Sequence, residues 1–374
     1  MNSVIVVGGG IIGMLSALEL LRSGFTVSLV DRQPFGRESS WAGGGIISPL
    51  FPWRYPDPIS HLARASQQIY PQLIAELSEA TGIDPEFLPS GMLALGDYPD
   101  EEPLVWARRL GIDMQPVERD RIEQIEPGTA EQYSRGFWFP SVHQVRNPRL
   151  VRLVTSYLQQ TPVKCYPNHE VSRLLVEQQR ALGVQFASGD RLHADAVVIA
   201  GGAWTGQLLQ DYPIDVSIRP IKGQMLIIHA KPGVVQRITL AQDRYLIPRA
   251  DGRVLVGSTT EDKGFDKTID DEVRDALCQF AVDTIPALGD YPVEHHWSGL
   301  RPGSSQGIPV IAQHPVVSRL YINAGHYRNG LVMAPASARL LAQIVGRQTP
   351  ILDPLDYLAA NPVKVARKQS TPRG

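Results

Sequence analysis

The stretch that decides the fold is "SVIVVGGGIIGMLSALELLRSGFTVSLVD", residues Ser3 to Asp31. It begins with an apolar β-run and a glycine turn. An amphipathic helix pattern follows, stops at Ser23-Gly24, and leads into a second β-run. This order predicts a βαβ unit, in which two parallel strands are joined by a helix.

The glycine turn in this unit carries a dinucleotide-binding pattern. Its spacing follows GxGxxG at Gly8, Gly10 and Gly13, and Ile11 and Ile12 lie between the last two glycines. The first glycine permits a tight turn, and the second lets the backbone approach a pyrophosphate. The third allows close packing of the helix on the strand. We therefore expect a nucleotide phosphate at the N-terminus of this helix.

The second strand of the unit ends in an acidic residue. Asp31 lies eighteen residues beyond Gly13, where a carboxylate accepts hydrogen bonds from ribose hydroxyls. An acid at this position disfavours the 2'-phosphate of NADP, although the neighbouring Arg32 keeps that alternative open. The pattern by itself does not separate NAD from FAD.

Three further glycine-containing stretches bear on that choice. They are "RESSWAGGGIISP" (37–49), "AVVIAGGAW" (196–204) and "GHYRNG" (325–330). The last two follow or include apolar strand patterns, and the first follows the second strand of the βαβ unit. A nicotinamide enzyme normally uses one contiguous domain for its cofactor, whereas these contacts would span the whole chain. The distribution of these contacts along the whole chain favours FAD over NAD.

Bulk composition excludes several classes of function. The chain has 374 residues, with 36 basic against 38 acidic side chains, which gives no basic surface for nucleic acid or for an anionic membrane. Cys165 and Cys278 lie far apart, so neither a disulfide framework nor a metal site is predicted. The apolar first twenty residues lack the basic region of a signal peptide, and no apolar run is long enough for a membrane span. We expect a cytoplasmic protein.

The order of strand and helix patterns predicts an α/β fold of two interleaved domains. We expect a discontinuous Rossmann-like nucleotide-binding domain from residues 1–85, 145–213 and 300–365. A second, β-rich α+β domain for the substrate would comprise residues 86–144 and 214–299, and residues 366–374 would form a flexible tail. Between residues 32 and 58 the density of glycine and proline predicts irregular backbone.

Longer motifs resemble a known family. "SSWAGGGIISPLFPWRY" (39–55), "SGLRPGSSQGIPVI" (298–311) and "AGHYRNGLVMAPASARLLA" (324–342) are similar to the D-amino-acid oxidase family of FAD enzymes. Within it, they most resemble the bacterial glycine oxidases of the thiamine-pathway type. The resemblance covers nearly the whole chain. It implies an FAD-binding domain of the glutathione-reductase type beside a β-rich substrate domain.

The resemblance also implies which residues contact FAD. The ADP half would lie against the fingerprint and the end of the second strand: Gly8, Gly10, Ile11, Ile12, Gly13, Asp31 and Arg32. The pyrophosphate and flavin would approach Ser39, Ser40, Gly44, Gly45 and Ile46. The backbone of Val171 would meet the adenine. A second strand end would contribute Ala200, Gly201, Gly202 and Trp204. The pyrimidine edge of the flavin would lie along His326, Tyr327, Arg328, Asn329, Gly330 and Leu331. No cysteine follows Cys278, so we expect non-covalent FAD.

Three residues are candidates for substrate binding and catalysis. Amine oxidation by a flavin depends mainly on orientation and electrostatics, so the protein must hold the substrate carboxylate. Arg301 is the candidate clamp, because a guanidinium binds a carboxylate through two parallel charge-assisted bonds. Tyr245 would supply a hydroxyl to the same carboxylate. Arg328 would face either that carboxylate or the electron-rich edge of the flavin.

The expected activity is oxidative deamination of glycine or of another small amino acid or amine. The products would be an imine, hydrolysed to an oxo acid and ammonia, and hydrogen peroxide from dioxygen, and the resemblance implies a role in thiamine biosynthesis. The alternative is a D-amino-acid dehydrogenase that passes electrons to a quinone. An FAD-holding module without turnover and a tRNA-modifying oxidoreductase are further alternatives, and the neutral charge balance argues against the second. A homo-oligomer is expected from the resemblance alone.

Overall fold

The structure is a computed structural model that describes residues 1–98, 101–214 and 217–358. Its strands in chain order are β1 (Ser3–Val7), β2 (Thr26–Val30), β3 (Met92–Leu95), β4 (Gln115–Glu118), β5 (Arg135–Phe139), β6 (Lys164–Tyr166), β7 (Val171–Glu177), β8 (Arg180–Phe186), β9 (Arg191–His193), β10 (Ala196–Ile199), β11 (Arg219–His229), β12 (Ile238–Ala241), β13 (Arg244–Pro248), β14 (Arg253–Gly257), β15 (Val293–Gly303), β16 (Val310–Gln313) and β17 (Leu320–Ala324). Its α-helices are α1 (Ile11–Arg22), α2 (Ser39–Ala42), α3 (Asp57–Thr81), α4 (Glu101–Leu110), α5 (Arg119–Ile125), α6 (Asn147–Gln159), α7 (Thr205–Leu208), α8 (Asp271–Thr284) and α9 (Gly330–Gly346).

The predicted βαβ unit is present as β1, α1 and β2. Both strands are largely buried, which explains why they are continuous apolar runs rather than alternating ones. The stop at Ser23-Gly24 works because Gly24 has a φ of +85°, a conformation that ends the helix.

A six-stranded sheet extends from this unit in the order β16-β17-β10-β1-β2-β6. All its neighbouring strands are parallel except β16, which runs antiparallel to β17. One face of this sheet packs against α1 and α9, and α3 and α6 pack on these helices in the same hydrophobic core; the other face packs against the three-stranded sheet β7-β8-β9. Because β1, β2, β10 and β17 are parallel, the segments that follow them lie along one edge of the sheet.

The second large sheet has eight strands in the order β15-β11-β14-β13-β12-β3-β5-β4. Its pairs are antiparallel apart from β12 with β3. One face packs with α5 and α8, and the other carries an aromatic cluster that includes Trp53, Phe137 and Phe139. The strands come from chain segments on both sides of α6, so this sheet is assembled from two insertions.

Some sequence predictions need correction or lie beyond what is described. The stretch 32–58 is not wholly irregular, because it holds α2 and a 3-10 turn at Pro52–Arg54. The predicted domain boundary at residue 300 falls inside β15, which continues to Gly303. The predicted tail at residues 366–374 lies outside the described residues.

Candidate active site

A cavity of about 720 Å³ lies where the carboxyl ends of the parallel strands face the eight-stranded sheet. The predicted cofactor and substrate residues all line it, with two exceptions, Gly13 and Asn329. Stretches that are far apart in sequence thus meet at one site. The helix N-terminus of α1, the glycine loop after α2, and the segments after β10 and β17 form its walls.

Gly13 is absent from the wall for a steric reason. A Cβ on Gly13 would overlap the carbonyl oxygen of Gly8, so this glycine lets α1 lie directly on the turn beneath it. Gly8 has a φ of +113°, and a Cβ there would overlap the backbone of Ala200. Gly10, by contrast, faces the cavity, and a Cβ added to it would lie 3.2 Å from the Ser40 hydroxyl, its nearest neighbour. Gly8 and Gly13 therefore permit the tight turn and the close helix packing that the pattern predicts, and Gly10 leaves bare backbone facing the cavity.

The Asp31 carboxylate ties this turn to the end of β2. Its Oδ2 accepts the Gly9 N–H at 2.6 Å and its Oδ1 accepts the Gln33 N–H at 2.8 Å. Burial raises the pKa of Asp31, and these two hydrogen bonds oppose that rise. The carboxylate is thus held in place at the cavity wall, where its remaining lone pairs can accept hydroxyl donors.

The glycine loop Gly43–Gly45 forms another part of the wall and is held from below by Asn147. The Asn147 amide donates to the Ser40 carbonyl at 2.9 Å, and Gly45 has a φ of +85°. A Cβ on Gly45 would overlap the Val145 carbonyl oxygen. Asn147 Oδ1 is buried and has no partner within the described part of the chain, although the residue lines the cavity. An acceptor without a donor, beside a cradle that only glycine fits, is what a bound ligand with N–H or O–H groups would satisfy.

Arg249 braces the same loop and was not predicted from the sequence. It is 8% exposed, and it donates to the Gly44 carbonyl at 2.7 Å, to Gln144 Oε1 at 2.7 Å and to the Val145 carbonyl at 3.0 Å. Burial lowers its pKa to about 10. Its place after the apolar strand β13 carries no signal of this role, because its acceptors are remote from it in sequence.

Arg301 lies on the opposite side of the cavity, near the end of β15. Its Nη1 donates to the carbonyls of Thr259 at 3.0 Å and Lys222 at 3.4 Å, and its Nη2 donates to the Ser258 hydroxyl at 2.8 Å. A Cβ on Gly223 would overlap the guanidinium, so the absence of a side chain there makes room for it. Within the described residues, Arg301 forms no ion pair with an acid. Burial lowers its pKa, proximity of the Tyr245 hydroxyl raises it, and the charge of Arg328 lowers it.

Tyr245 and Arg328 complete this end of the cavity. Tyr245 is buried, its hydroxyl donates to Met225 Sδ at 3.0 Å, and Gly257 on the paired strand leaves space for its ring. Arg328 lies in the 3-10 turn Tyr327–Asn329, and its side chain has no hydrogen bond or ion pair to another described residue. Two guanidinium groups without acidic partners make this end of the cavity suited to an anion.

His326, which also lines the cavity, ends a chain of buried polar contacts. Its Nε2 lies 2.7 Å from the Ser337 hydroxyl, which donates to Asn323 Oδ1 at 2.6 Å. The Asn323 amide donates to Ser16, and Ser16 donates to the carbonyl of Ile12 in the first turn of α1. Since the Ser337 proton is directed to Asn323, Nε2 of His326 carries the proton and Nδ1 is left as an acceptor. Burial lowers the pKa of His326 to about 3, so the ring is neutral.

Sequence reasoning missed several residues of the site. Gly223, Asn147, Ser258 and Arg249 were not predicted. Gly223 had a usable signal, because an isolated glycine inside a strand pattern indicates a close approach by another group. Asn147, which is followed by Pro148, has in sequence only the pattern of a helix start. A serine or arginine at the end of a strand carries no comparable signal.

The GxGxxG turn, the acid after β2 and a cavity that spans two sheets define a dinucleotide-dependent oxidoreductase. A family profile described as FAD dependent oxidoreductase matches residues 3–344, and the chain belongs to this family. The α/β fold with a Rossmann-like FAD-binding domain and a second domain is thereby confirmed. The residues at the site fit FAD, because the glycine cradle, the Asp31 carboxylate and the unpartnered Asn147 acceptor are all present.

Individual relatives agree with the family assignment. The chain is 43% identical to the glycine oxidase of Pseudomonas aeruginosa, a match that covers 96% of this chain and 98% of the relative. It superposes on the crystal structure of glycine oxidase from Geobacillus kaustophilus with a TM-score of 0.90 and 27% identity, covering 96% and 99% of the two chains. It is 29% identical to the bifunctional protein ThiO/ThiG of Trichormus variabilis, of which it spans 55% while 95% of this chain is covered. The resemblance to glycine oxidases is confirmed.

Two negative observations complete the description of the site. Among the residues that the structure describes, no helix is both long enough and apolar enough to cross a bilayer. In the same ranges, no cluster of three or more histidine, cysteine or acidic side chains is arranged to hold a metal ion.

Proposed function

We propose that the protein oxidises the amine of glycine, or of another small amino acid, with non-covalently bound FAD. The balanced reaction takes amino acid, dioxygen and water to oxo acid, ammonia and hydrogen peroxide. The bound FAD would supply the two-electron oxidant for the C–N bond and would return the electrons to dioxygen. Similarity to glycine oxidases over nearly the whole chain supports the substrate class.

The observation that carries this proposal is the state of Arg301. A cavity-lining guanidinium in a slot made by Gly223, with no acidic partner among the described residues, is arranged to bind an external anion. A substrate carboxylate would satisfy it with two charge-assisted hydrogen bonds. The Tyr245 hydroxyl would add a third contact to the same carboxylate, and the cavity walls would exclude water from the reacting carbon.

Other chain residues would hold the cofactor. Asp31 would accept the ribose hydroxyls, and the N–H groups at the start of α1 would face the pyrophosphate. The backbone of Val171 would meet the adenine, and the turn from His326 to Leu331 would lie along the flavin. Arg328 would add positive charge either to the flavin edge or to the substrate carboxylate, which stabilises negative charge in both cases.

The test is peroxide release from a panel of amino acids in air, without an added electron acceptor. Glycine or another small amino acid should give peroxide and ammonia in equal amounts. Arg301→Ala should keep FAD bound but raise the KM for glycine by about a hundredfold or more, since it removes a bidentate charged contact worth about 3 kcal/mol. Arg219→Ala is the control, because Arg219 is an exposed arginine on the paired strand β11 whose side chain bonds Asp262 at the surface. Absence of peroxide with every amino acid would refute the proposal.

The dehydrogenase alternative is not favoured, because relatives at 43% and 41% identity are glycine oxidases. We further propose that the oxidation serves thiamine biosynthesis, which the similarity to ThiO/ThiG supports. A cytoplasmic location and a homo-oligomeric state stay predictions, and size-exclusion chromatography with light scattering tests the second. We also propose that the six-stranded sheet with its helices is the FAD-binding domain and the eight-stranded sheet is the substrate domain, with the boundary after β15 rather than at residue 300.

A further inference from the structure

The hydrogen-bond donors of Arg301 are not equally available to a ligand. A guanidinium has five N–H groups in one plane. The Nη1 group is directed to two backbone carbonyls, those of Thr259 and Lys222, and one Nη2 hydrogen is directed to the Ser258 hydroxyl. The Nε–H donates to none of these three groups, and the Tyr245 hydroxyl lies close enough to the guanidinium to oppose the lowering of the Arg301 pKa by burial. In the planar guanidinium, the Nε–H shares one edge with one of the two hydrogens of Nη2.

The segment that carries Ser258 is held firmly against β11. The Lys222 and Glu261 backbones exchange two hydrogen bonds of 2.9 Å, and the Gln224 N–H donates to the Thr259 hydroxyl at 2.9 Å. The Glu261 carboxylate also accepts from the side chains of Thr259 and Gln224 and lies 3.5 Å from Lys222 Nζ. The groups that accept hydrogen bonds from Arg301 therefore lie in a segment that several hydrogen bonds hold against β11.

Gly223 on β11 provides the surface against which the guanidinium of Arg301 lies. Because a Cβ on Gly223 would overlap both Nη1 and Nη2, the guanidinium lies flat over the backbone of β11. The planar group is thus fixed in position by the Gly223 surface and in rotation by its contacts to Thr259 and Ser258. Among these contacts, the Ser258 hydroxyl is the one made by a side chain, and Ser258 lines the cavity.

We infer that Ser258 is a positioning residue, whose hydroxyl turns the guanidinium of Arg301 so that its Nε–Nη2 edge faces the substrate carboxylate. This inference rests on the proposed function of Arg301 as the carboxylate clamp. It has a consequence for specificity, since two parallel N–H donors match the two oxygens of a carboxylate. A carboxamide presents one oxygen and one N–H group to the same edge, and its N–H would oppose a donor.

The experiment measures carboxylate binding directly, with acetate as the probe and the oxidised FAD-loaded enzyme as the receptor. Acetate titrations are followed by the change in flavin absorbance, and the KM and kcat for glycine are measured in parallel. Ser258→Ala should raise the acetate Kd and the glycine KM about tenfold, which corresponds to about 1.4 kcal/mol. The kcat should change less than about twofold, and FAD affinity should be unaltered. Ser258→Thr, which keeps a hydroxyl, should restore binding.

A coupling measurement separates positioning from a general structural role. In an Arg301→Lys background, which has no planar fork, Ser258→Ala should have little further effect on the acetate Kd. Gly223→Ala should weaken acetate more than Ser258→Ala does, because it displaces the guanidinium itself. Ser298→Ala is the matched control, since Ser298 lies on β15 three residues before Arg301 and its hydroxyl donates to the Lys267 carbonyl instead.

The outcomes distinguish this inference from the proposed function. A wild-type enzyme that gives no peroxide from any amino acid refutes the function, while the acetate titrations still test the pairing of Ser258 with Arg301. Equal acetate affinity in wild type and Ser258→Ala overturns the inference, even if glycine is oxidised normally. Failure of the threonine variant to restore binding, undiminished weakening in the Arg301→Lys background, or a wild-type protein that binds no acetate overturns it as well.

Discussion

Replacing Arg249 by methionine gives the most direct test of how the two large sheets support the cofactor cavity. Methionine has a similar length and can occupy the same buried space, but it has no N–H groups. The substitution therefore leaves the Gly44 carbonyl, the Val145 carbonyl and Gln144 Oε1 without their donor. Among the described residues, no acid forms a salt bridge with Arg249, so the variant leaves no carboxylate without its counter-ion.

The expected loss in the free energy of unfolding is estimated from these three hydrogen bonds. Hydrogen bonds from a charged donor contribute about 1.5–3 kcal/mol each, so three give a gross loss of about 4.5–9 kcal/mol. Removing a buried cation also relieves its desolvation, whose presence is evident from the lowered pKa of about 10. We expect a net loss of about 3 kcal/mol in the free energy of unfolding. Because Gly44 would lose its brace, FAD affinity should also fall about tenfold.

Two measurements check this prediction. Urea denaturation of the apoprotein gives the free energy of unfolding, and quenching of flavin fluorescence on titration gives the FAD Kd. Arg244→Met is the matched control at the opposite end of β13, since Arg244 makes an exposed hydrogen bond to the Ala276 carbonyl, and it should cost less than about 1 kcal/mol. If Arg249→Met changed the unfolding free energy by less than about 1 kcal/mol and left the FAD Kd unchanged, the bracing role would be wrong.

Three further predictions concern individual residues of the site. Gly13→Ala should abolish FAD co-purification, because the added Cβ would overlap the Gly8 carbonyl oxygen. Gly24→Ala is its control, since Gly24 also lies in a turn beside α1 but has open space around its Cβ. This control should bind FAD normally and lose only about 1–2 kcal/mol of stability. Tyr245→Phe should raise the glycine KM about tenfold with the flavin spectrum intact, and an unchanged KM in steady-state assays would remove its hydroxyl from the carboxylate site. His326 has a pKa of about 3 in the fold against 6.5 unfolded, so the unfolded chain takes up the proton first and stability falls as pH drops from 6.5 towards 3, by up to roughly 1.4 kcal/mol per pH unit. Urea denaturation at a fixed FAD concentration should show a shallower loss over this pH range for His326→Asn than for the wild type, and parallel curves would contradict the assignment.

The cavity explains why its residues are distributed along the whole chain. Parallel strands place the segments that follow them at one edge, so β1, β2, β10 and β17 contribute neighbouring walls although they span more than three hundred residues. The eight-stranded sheet supplies the opposite wall with Tyr245 and Arg301. FAD and substrate contacts are thereby divided between two sheets, and Arg249 links the strand end of one to the glycine loop of the other.

Local patterns were enough to predict part of this site. The roles of Gly8, Gly10 and Gly13 follow from backbone sterics within a six-residue turn, and the position of Asp31 follows from the length of one βαβ unit. These features need no long-range information, because the chemistry of a tight turn at a helix N-terminus depends on adjacent residues. Arg301, Tyr245 and Arg328 were predicted through resemblance of their surrounding motifs, and the structure brings all three to one end of the cavity.

By itself, the sequence determined the class of fold, the dinucleotide fingerprint and the family, since each depends on periodicity or on contiguous motifs. Only the tertiary structure decided which residues contact and position the side chains of those motifs. Gly223, Ser258 and Arg301 meet because β11, β14 and β15 pair across the sheet, although they are separated by up to 78 residues in the chain. A serine at a strand end looks the same in sequence whether it faces water or the guanidinium of a clamp, and only the packing of distant strands distinguishes the two.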